Sequence, residues 1–441
     1  MEKSLTASVE QAGIVGAGGA GFPSHVKYNA KAEYVIINGA ECEPLLRVDQ
    51  QLMAQEAEKL LGGLQLIVDH VGAAEGIVAL KAKYHDAEDA LKAQLHKYPK
   101  LRLYLLGNFY PAGDEQVVVY EVTRRIVPEG GIPLNVGVIV TNVETVLNTY
   151  DACVSQQNVT DKYITVTGAV AKPITAQVPL GITVREALEL AGGVTVKDYV
   201  IVNGGPMMGK TISPEDVITK TVKGLIVLPA GHPLINSLTK GVSHMMREAK
   251  TACMHCSLCT EVCPRNLLGH RLEPHKLIRI PSYGKICDGQ SSAINAFLCC
   301  ECRLCEYACI QDLQPWKMNS TLKKELGKAG IKNTLHNQPE KAAAFREYKK
   351  FPVAKLVTKL GLSSYDQPAP MVALDKEFKN VFLPLRQHVG APAESVVKEG
   401  DSVDRGQLLA KISEGKLGSN IHASISGTVT AVTAEGIRLQ A

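Results

Sequence analysis

Eight cysteines in the middle third of the chain fall into two runs of identical spacing, Cys253-x2-Cys256-x2-Cys259-x3-Cys263 and Cys299-x2-Cys302-x2-Cys305-x3-Cys309. A tight turn with a thiol at every third residue converges three sulfurs on one face of a polynuclear centre. Backbone N–H groups in the turn then offset the negative charge of that centre. The pattern reads as two [4Fe–4S] clusters. A structural zinc site is the competing reading, but zinc more often takes two separated Cys-x2-Cys pairs. Ten of the twelve cysteines lie between Cys253 and Cys309, which speaks for metal ligation over a disulfide framework. Cys42, Cys153 and Cys287 stand apart and read as ordinary small residues, buried or half-buried.

The spacing resembles that of bacterial ferredoxins, in which the fourth cysteine of each run reaches the neighbouring cluster. That resemblance implies one cluster on Cys253, Cys256, Cys259 and Cys309, and another on Cys299, Cys302, Cys305 and Cys263. The second run departs in two places. Ile310 stands where proline usually follows the last cysteine, and Cys300 adjoins Cys299 as a competing thiol, although only Cys299 keeps the spacing.

A chain of 441 residues has room for two to four domains. Hydrophobic residues at 45% and charged residues at 21% supply globular cores. The net charge is only +4, and no basic run is interleaved with aromatics, so nucleic acid is not an expected partner. No apolar run approaches the ~18 residues of a membrane span. Glu10 and a glycine-rich stretch stand where a signal peptide would be apolar, so a cytoplasmic location is expected.

The first ~150 residues read as alternating α/β. Strands are expected at Tyr34–Asn38, Ile77–Leu80, Leu101–Leu106 and Val136–Val140, a helix over Gln50–Leu61, and a helix start at Asp114 and Glu115. Tyr163–Val170, Val184–Ala191 and Tyr199–Val202 read as strand, helix and strand of a small α+β module. Residues 331–370 look like a connector. From Asn380 onward short strands separated by turns at Gly400-Asp401 and Ser426-Gly427 suggest a small barrel or sandwich.

Clusters move single electrons, so a chain with two of them needs a two-electron converter or a partner. Gly16-Ala17-Gly18-Gly19-Ala20-Gly21-Phe22-Pro23 offers backbone that a phosphate can approach, with Lys27 as counter-charge. Taken alone, the loop is as readily a structural turn. It follows no clear strand, and a Rossmann reading is poorly supported.

That loop, with Asn38-Gly39-Ala40-Glu41-Cys42-Glu43-Pro44, Tyr110-Pro111-Ala112-Gly113-Asp114-Glu115 and Asn142-Val143-Glu144-Thr145, resembles the FMN-binding fold of the NADH-oxidising subunit of respiratory complex I. It is more similar still to the C subunit of the Rnf electron-transport complex. The resemblance implies that Gly16, Gly18, Gly19, Lys27, Asn38, Glu41, Gly113, Asp114 and Asn142 line the flavin. Phe22, Glu43 and Glu115 would stand where the nicotinamide dinucleotide enters.

Residues 162–215 resemble a soluble-ligand-binding β-grasp domain, and 380–441 the barrel-sandwich hybrid of Rnf C subunits, here placed last. That order, with the segments Val48–Met53 and Leu385–Ala391, is similar to the cobalamin reductases of propanediol-utilisation microcompartments. The fold class implied is multidomain α/β and α+β. Its parts are an FMN/NADH domain over 1–158, the β-grasp over 159–240, a two-cluster region over 241–330, a connector over 331–379 and the barrel-sandwich hybrid over 380–441.

The activity implied is transfer of electrons from NADH through FMN and two [4Fe–4S] clusters to cobalamin, with no catalytic acid or base. Implied partners are cobalamin or a cobalamin-handling adenosyltransferase, and shell or cargo proteins of a bacterial microcompartment enclosing the enzyme. The alternative is an electron-transfer module that docks on a partner redox protein or regenerates NAD+. Lys416 lies where a biotinyl or lipoyl carrier would bear its lysine, but Glu414-Gly415-Lys416-Leu417 lacks the carrier context and reads as surface.

Overall fold

The computed structural model describes residues 4–280 and 292–441, so Cys287 lies outside the described residues. The first domain contains β1 (Tyr34–Gly39), β2 (Glu75–Lys81), β3 (Leu101–Leu106), the two-residue β4 (Phe109–Tyr110) and β5 (Val138–Asn142). Four of these form a parallel sheet in the order β3-β2-β1-β5. Alternate side chains of β1 and β2 serve two layers. Val35, Ile37 and Val78 pack with the helices Ala57–Val71 and Val143–Val154, while Ile36 and Ile77 pack with the helix Glu115–Thr123. The chain order reverses between β1 and β5. In an open α/β sheet that reversal opens a crevice beyond the carboxyl ends of the strands, and Asn38 and Asn142 stand at those two ends.

Two local expectations differ from the structure. The helix expected over Gln50–Leu61 is two helices, Val48–Gln55 and Ala57–Val71, because Glu56 leaves the helical region (φ −117°). The strand expected from Val136 begins at Val138, because Pro133–Val136 forms a 3-10 turn closed by Gly137 at φ +75°.

The second sheet holds β6 (Asp161–Gly168), β7 (Ile174–Pro179), β8 (Tyr199–Asn203), β9 (Lys210–Ile212) and β10 (Gly224–Pro229). Its helix Val184–Leu190 starts from a capping box between Thr183 and Glu186. The stretch expected as a connector is sewn onto both earlier domains, once through a separate two-stranded sheet and once through the second sheet. β11 (Phe351–Pro352) pairs with β4, and β12 (Met371–Val372) extends the second sheet beside β7. Strands of two residues carry no readable alternation, so only the tertiary pairing reveals them.

The C-terminal unit contains β13 (Asn380–Pro384), β14 (Glu394–Ser395), β15 (Ser402–Val403), β16 (Leu408–Lys411), β17 (Ile421–His422), β18 (Gly427–Val432) and β19 (Gly436–Gln440). They form two sheets, β13-β19-β18-β15 and β14-β16-β17. One apolar core runs through all three units, from Val35 by way of Ile164 and Leu225 to Leu383 and Val429. Buried Lys220 fastens the same junction, donating to Gly13 O at 2.7 Å and Asn420 O at 2.6 Å. Gly13 sits at φ +70°, and a side chain there would run into Asn420 O, so only glycine suits the position. The cysteine-rich region is a set of short helices packed around Met245, Leu272, Leu298, Met318 and Leu322. Among the described residues no helix is long and apolar enough to cross a membrane.

Candidate functional site

A cavity of about 480 Å³ lies at the carboxyl ends of β1 and β5, within the ~300–1,000 Å³ of small-molecule sites. The glycine loop runs between the helices Leu5–Gln11 and Ser24–Tyr28, closed by Gly16 N–H donating to Phe22 O at 2.9 Å and by a bridge from Val15 to Pro23. Ala17 N–H donates to Thr145 Oγ1 at 3.0 Å. At Gly18 a β-carbon would come 2.8 Å from Asn142 Nδ2, so the loop rests directly on the end of β5. The structure brings Gly16, Gly18, Gly19, Phe22, Lys27, Asn38, Glu41, Glu43, Gly113, Asp114, Glu115 and Asn142 together around this one cavity.

Their side chains are held in different ways. Lys27 Nζ donates to Val140 O at 2.9 Å; burial lowers its pKa and Glu115 opposes the shift. Burial raises the Glu115 pKa, with Lys27 opposing. Asn38 Nδ2 donates to Gly113 O at 2.8 Å, tying β1 to the loop before the helix Glu115–Thr123. Asp114 caps that helix through Gln116 N–H and Val117 N–H. It also takes a bidentate contact from Arg265, at 2.6 and 2.9 Å. Burial works against the Asp114 charge, but the Arg265 guanidinium holds its carboxyl below the usual range.

Glu41 lines the cavity, yet its carboxylate faces the start of the helix Val48–Gln55. It accepts from Asp49 N–H at 2.8 Å and from Gln50 Nε2 at 3.0 Å. Burial and neighbouring Asp49 raise its pKa. Glu43 accepts from the backbone N–H groups of Met207 and Met208, at 2.9 and 3.0 Å, so the second domain supplies one lip of the cavity. Burial pushes its carboxyl up to about 7.

Several lining residues carried no sequence signal. Lys223, just before β10, forms an ion pair with Asp49, and Asp49 Oδ2 also accepts from Asn142 Nδ2 at 3.0 Å. Asp49 Oδ1 is buried with no hydrogen-bond partner among the described residues. Asp49 and Lys223 stand 174 positions apart, a separation that no local pattern bridges. Cys42, set aside as an isolated thiol, also lines the wall, as do Tyr110, Cys300 and Cys302. This set fits FMN. The loop and Lys27 suit a phosphate, and an orphaned buried acceptor suits the hydroxyl or imide donors that a flavin brings.

Two smaller cavities hold the cysteines. The outer one is lined by Cys253, Cys256, Cys259 and Cys309, and the inner one by Cys263, Cys299, Cys302 and Cys305, with Cys300 alongside. Both turns repeat one backbone pattern. His255 and Ser257 in the first, and Glu301 and Arg303 in the second, take positive φ of 57° to 65°. This register equates Cys299 with Cys253, and Cys300 with Met254. The outer cavity holds four thiols and the inner one five, enough at each for the four-thiolate donor set of an iron–sulfur cluster. Among the described residues no three metal-binding side chains converge on a single ion; the thiolates of a cubane lie further apart than those around one zinc. Cys300 and Cys302 line the inner cavity and the flavin-sized cavity alike. Outside, Cys256 is exposed, and Met254 (63% exposed) and Ile310 (58%) line the same outer cavity. Lys416 is exposed on the C-terminal unit, near Glu394.

Comparison with known proteins matches family models to four stretches of the chain. Residues 9–151 match the Nuo51 FMN-binding domain, 163–211 the SLBB domain, 252–314 a 4Fe-4S dicluster domain and 366–440 the RnfC barrel sandwich hybrid domain. The FMN and iron–sulfur assignments of the cavities agree with these matches. Cobalamin reductase PduS of Salmonella typhimurium is 44% identical, over 99% of this chain and 97% of its own. The protein of the same name from Citrobacter freundii is 44% identical over 99% and 96%. The C subunit of the Na(+)-translocating ferredoxin:NAD(+) oxidoreductase complex of Acetobacterium woodii is 34% identical over 59% of this chain and 57% of its own.

Proposed function

The chain belongs to the cobalamin reductase PduS family, and from that membership we propose that it carries electrons from NADH through FMN and two [4Fe–4S] clusters to the cobalt of cobalamin. It is an oxidoreductase whose cofactors are FMN and iron–sulfur clusters. The observation that carries the reading is a shared wall. Cys302 lines both the flavin-sized and the inner cysteine cavity, while the outer cysteine cavity reaches solvent at Cys256. This arrangement supports an electron path from donor pocket to inner cluster, outer cluster and surface.

Bound FMN supplies hydride acceptance from NADH and release of single electrons, which iron–sulfur clusters carry onward. The remaining work is done by the chain's own groups. Gly16, Gly18, Gly19 and Lys27 would hold the flavin phosphate, and Asn38, Glu41, Gly113, Asp114 and Asn142 would frame the rest. Phe22, at 38% exposure, with Glu43 and Glu115 would meet the dinucleotide at the mouth. Cys263, Cys299, Cys302 and Cys305 would hold the inner cluster, and Cys253, Cys256, Cys259 and Cys309 the outer one. No proton-transfer residue is needed, because position and potential are what the protein provides.

The apolar rim around Cys256 is the docking face for the acceptor. That acceptor is cobalamin, free or held by a handling enzyme such as an adenosyltransferase, and the setting is a microcompartment that encloses the diol-degrading enzymes. The test is anaerobic stopped-flow mixing with NADH and then cobalamin, with iron and flavin quantified on the same sample. Flavin bleaching followed by cobalt reduction is expected. Bleaching without cobalt reduction would replace cobalamin by a protein acceptor at the same rim. Absence of bound flavin after reconstitution would overturn both.

A further inference from the structure

Two polar side chains at the inner cysteine cavity are buried with donors unspent. Asn319, on the helix Pro315–Lys328, is wholly buried, and neither its Nδ2 nor its Oδ1 has a hydrogen-bond partner among the described residues. Arg303, 2% exposed, has the same deficit at Nε. Its other nitrogens are engaged, Nη2 with Ser237 Oγ at 3.0 Å and with Glu306 Oε2 at 3.3 Å, and its guanidinium lies 4.8 Å over the Trp316 ring. Glu306, itself buried, also accepts from Trp316 Nε1 and Gln314 Nε2 and balances the Arg303 charge. Arg303 therefore offers the cavity a neutralised N–H donor.

Both residues line the cavity of Cys263, Cys299, Cys302 and Cys305. The Asn319 side chain lies within hydrogen-bonding reach of the Cys299 thiol and opposes the rise that burial gives its pKa, although no well-aligned hydrogen bond is formed. Native proteins rarely leave buried donors unpaired, and such orphans point to a missing acceptor. The acceptors this cavity offers are sulfurs, the cysteines that line it and the sulfides of a cluster held there. Among the described residues, none of the other orphaned polar atoms belongs to a residue lining the outer cysteine cavity.

From this asymmetry we infer that Asn319 and Arg303 donate N–H···S hydrogen bonds to the inner cluster and raise its reduction potential, selectively over the outer one. The inference rests on the two-cluster reading above. Reduction adds negative charge to a cluster, and donors aimed at its sulfurs stabilise the reduced form. The residues are tuning groups; they neither ligate iron nor meet NADH.

The test is an EPR-monitored redox titration of the reconstituted full-length protein with Asn319→Leu, which keeps the volume and removes the donor. The inner cluster should become harder to reduce by about tenfold in its equilibrium, 59 mV for one electron, while the outer cluster and the iron content stay at wild-type values. Asn319→Met serves the same purpose if the branched side chain disturbs assembly. Unchanged potentials in the loaded variants, or a shift confined to the outer cluster, would overturn the tuning role. Iron for only one cluster in the wild-type protein would instead overturn the two-cluster reading itself.

Discussion

Glu43 stands where the first domain's β1 exit meets the Met207-Met208 turn of the second, and its carboxyl is pushed by burial up to about 7. The folded state therefore holds a proton that the unfolded chain releases near 4.5, so stability falls as pH rises from about 4.5 through about 7. The slope amounts to roughly 3 kcal/mol at ~1.4 kcal/mol per unit. Glu43→Gln should flatten it, read as urea midpoints across that pH window; an unchanged slope would assign the titration to another group. Lys27 makes a different prediction. Its ammonium lines the cavity beside the glycine loop, and a charge-assisted hydrogen bond contributes about 1.5–3 kcal/mol. Lys27→Ala should therefore weaken FMN binding ~10- to 100-fold while leaving iron content near normal. Unaltered flavin affinity, measured by fluorescence on release, would remove Lys27 from the phosphate site.

At the scale of elements, the two cysteine turns are one device used twice. Four non-glycine residues at positive φ cost roughly 1–2 kcal/mol each, strain that persists only where the surrounding structure over-determines it. Cys263 leaves the first turn and joins the cavity of the second, so Cys263→Ala should damage the cluster on Cys299, Cys302 and Cys305 and spare the one on its sequence neighbours. EPR of the dithionite-reduced protein reads this directly, and loss confined to the other cluster would refute the exchange. The spacing made the cysteines legible because each trio is local. Arg265, two residues past Cys263, was not legible: its partner Asp114 lies 151 positions away. Yet that pair links the cluster turn to the cap of a helix lining the flavin-sized cavity.

At the scale of the molecule, three units share one core and one buried lysine. Lys220→Met would strand Gly13 O and Asn420 O, costing about 1–3 kcal/mol for each buried carbonyl left unpaired. Because Gly13 begins the stretch that leads into the glycine loop, the variant should also retain FMN less well, with iron content unchanged. Thermal unfolding and flavin release measure the two effects, and loss of stability with full flavin retention would separate the node from the site. Burial also pushes Lys220 down to about 7. Between that value and 10.5 the folded state binds fewer protons than the unfolded one, so stability gained with rising pH in this range should vanish in the same variant.

Contiguous residues carry the readable part of this protein. The two cysteine runs, the glycine loop, the cap at Asp114 and the main strands all follow from short-range spacing, because turn geometry and helix capping act within a few residues. Tertiary structure alone decided the rest. It paired Lys223 with Asp49, set Asn319 against Cys299, turned Glu41 toward a helix start and sewed the expected connector into two sheets through strands of two residues. Contacts of that kind depend on which surfaces the packed core brings together, and a separation such as the 174 positions between Asp49 and Lys223 leaves no trace in local pattern. The eight cysteines thus announced two clusters, while the sharing of Cys302 between the inner cysteine cavity and the flavin-sized one came only from the fold.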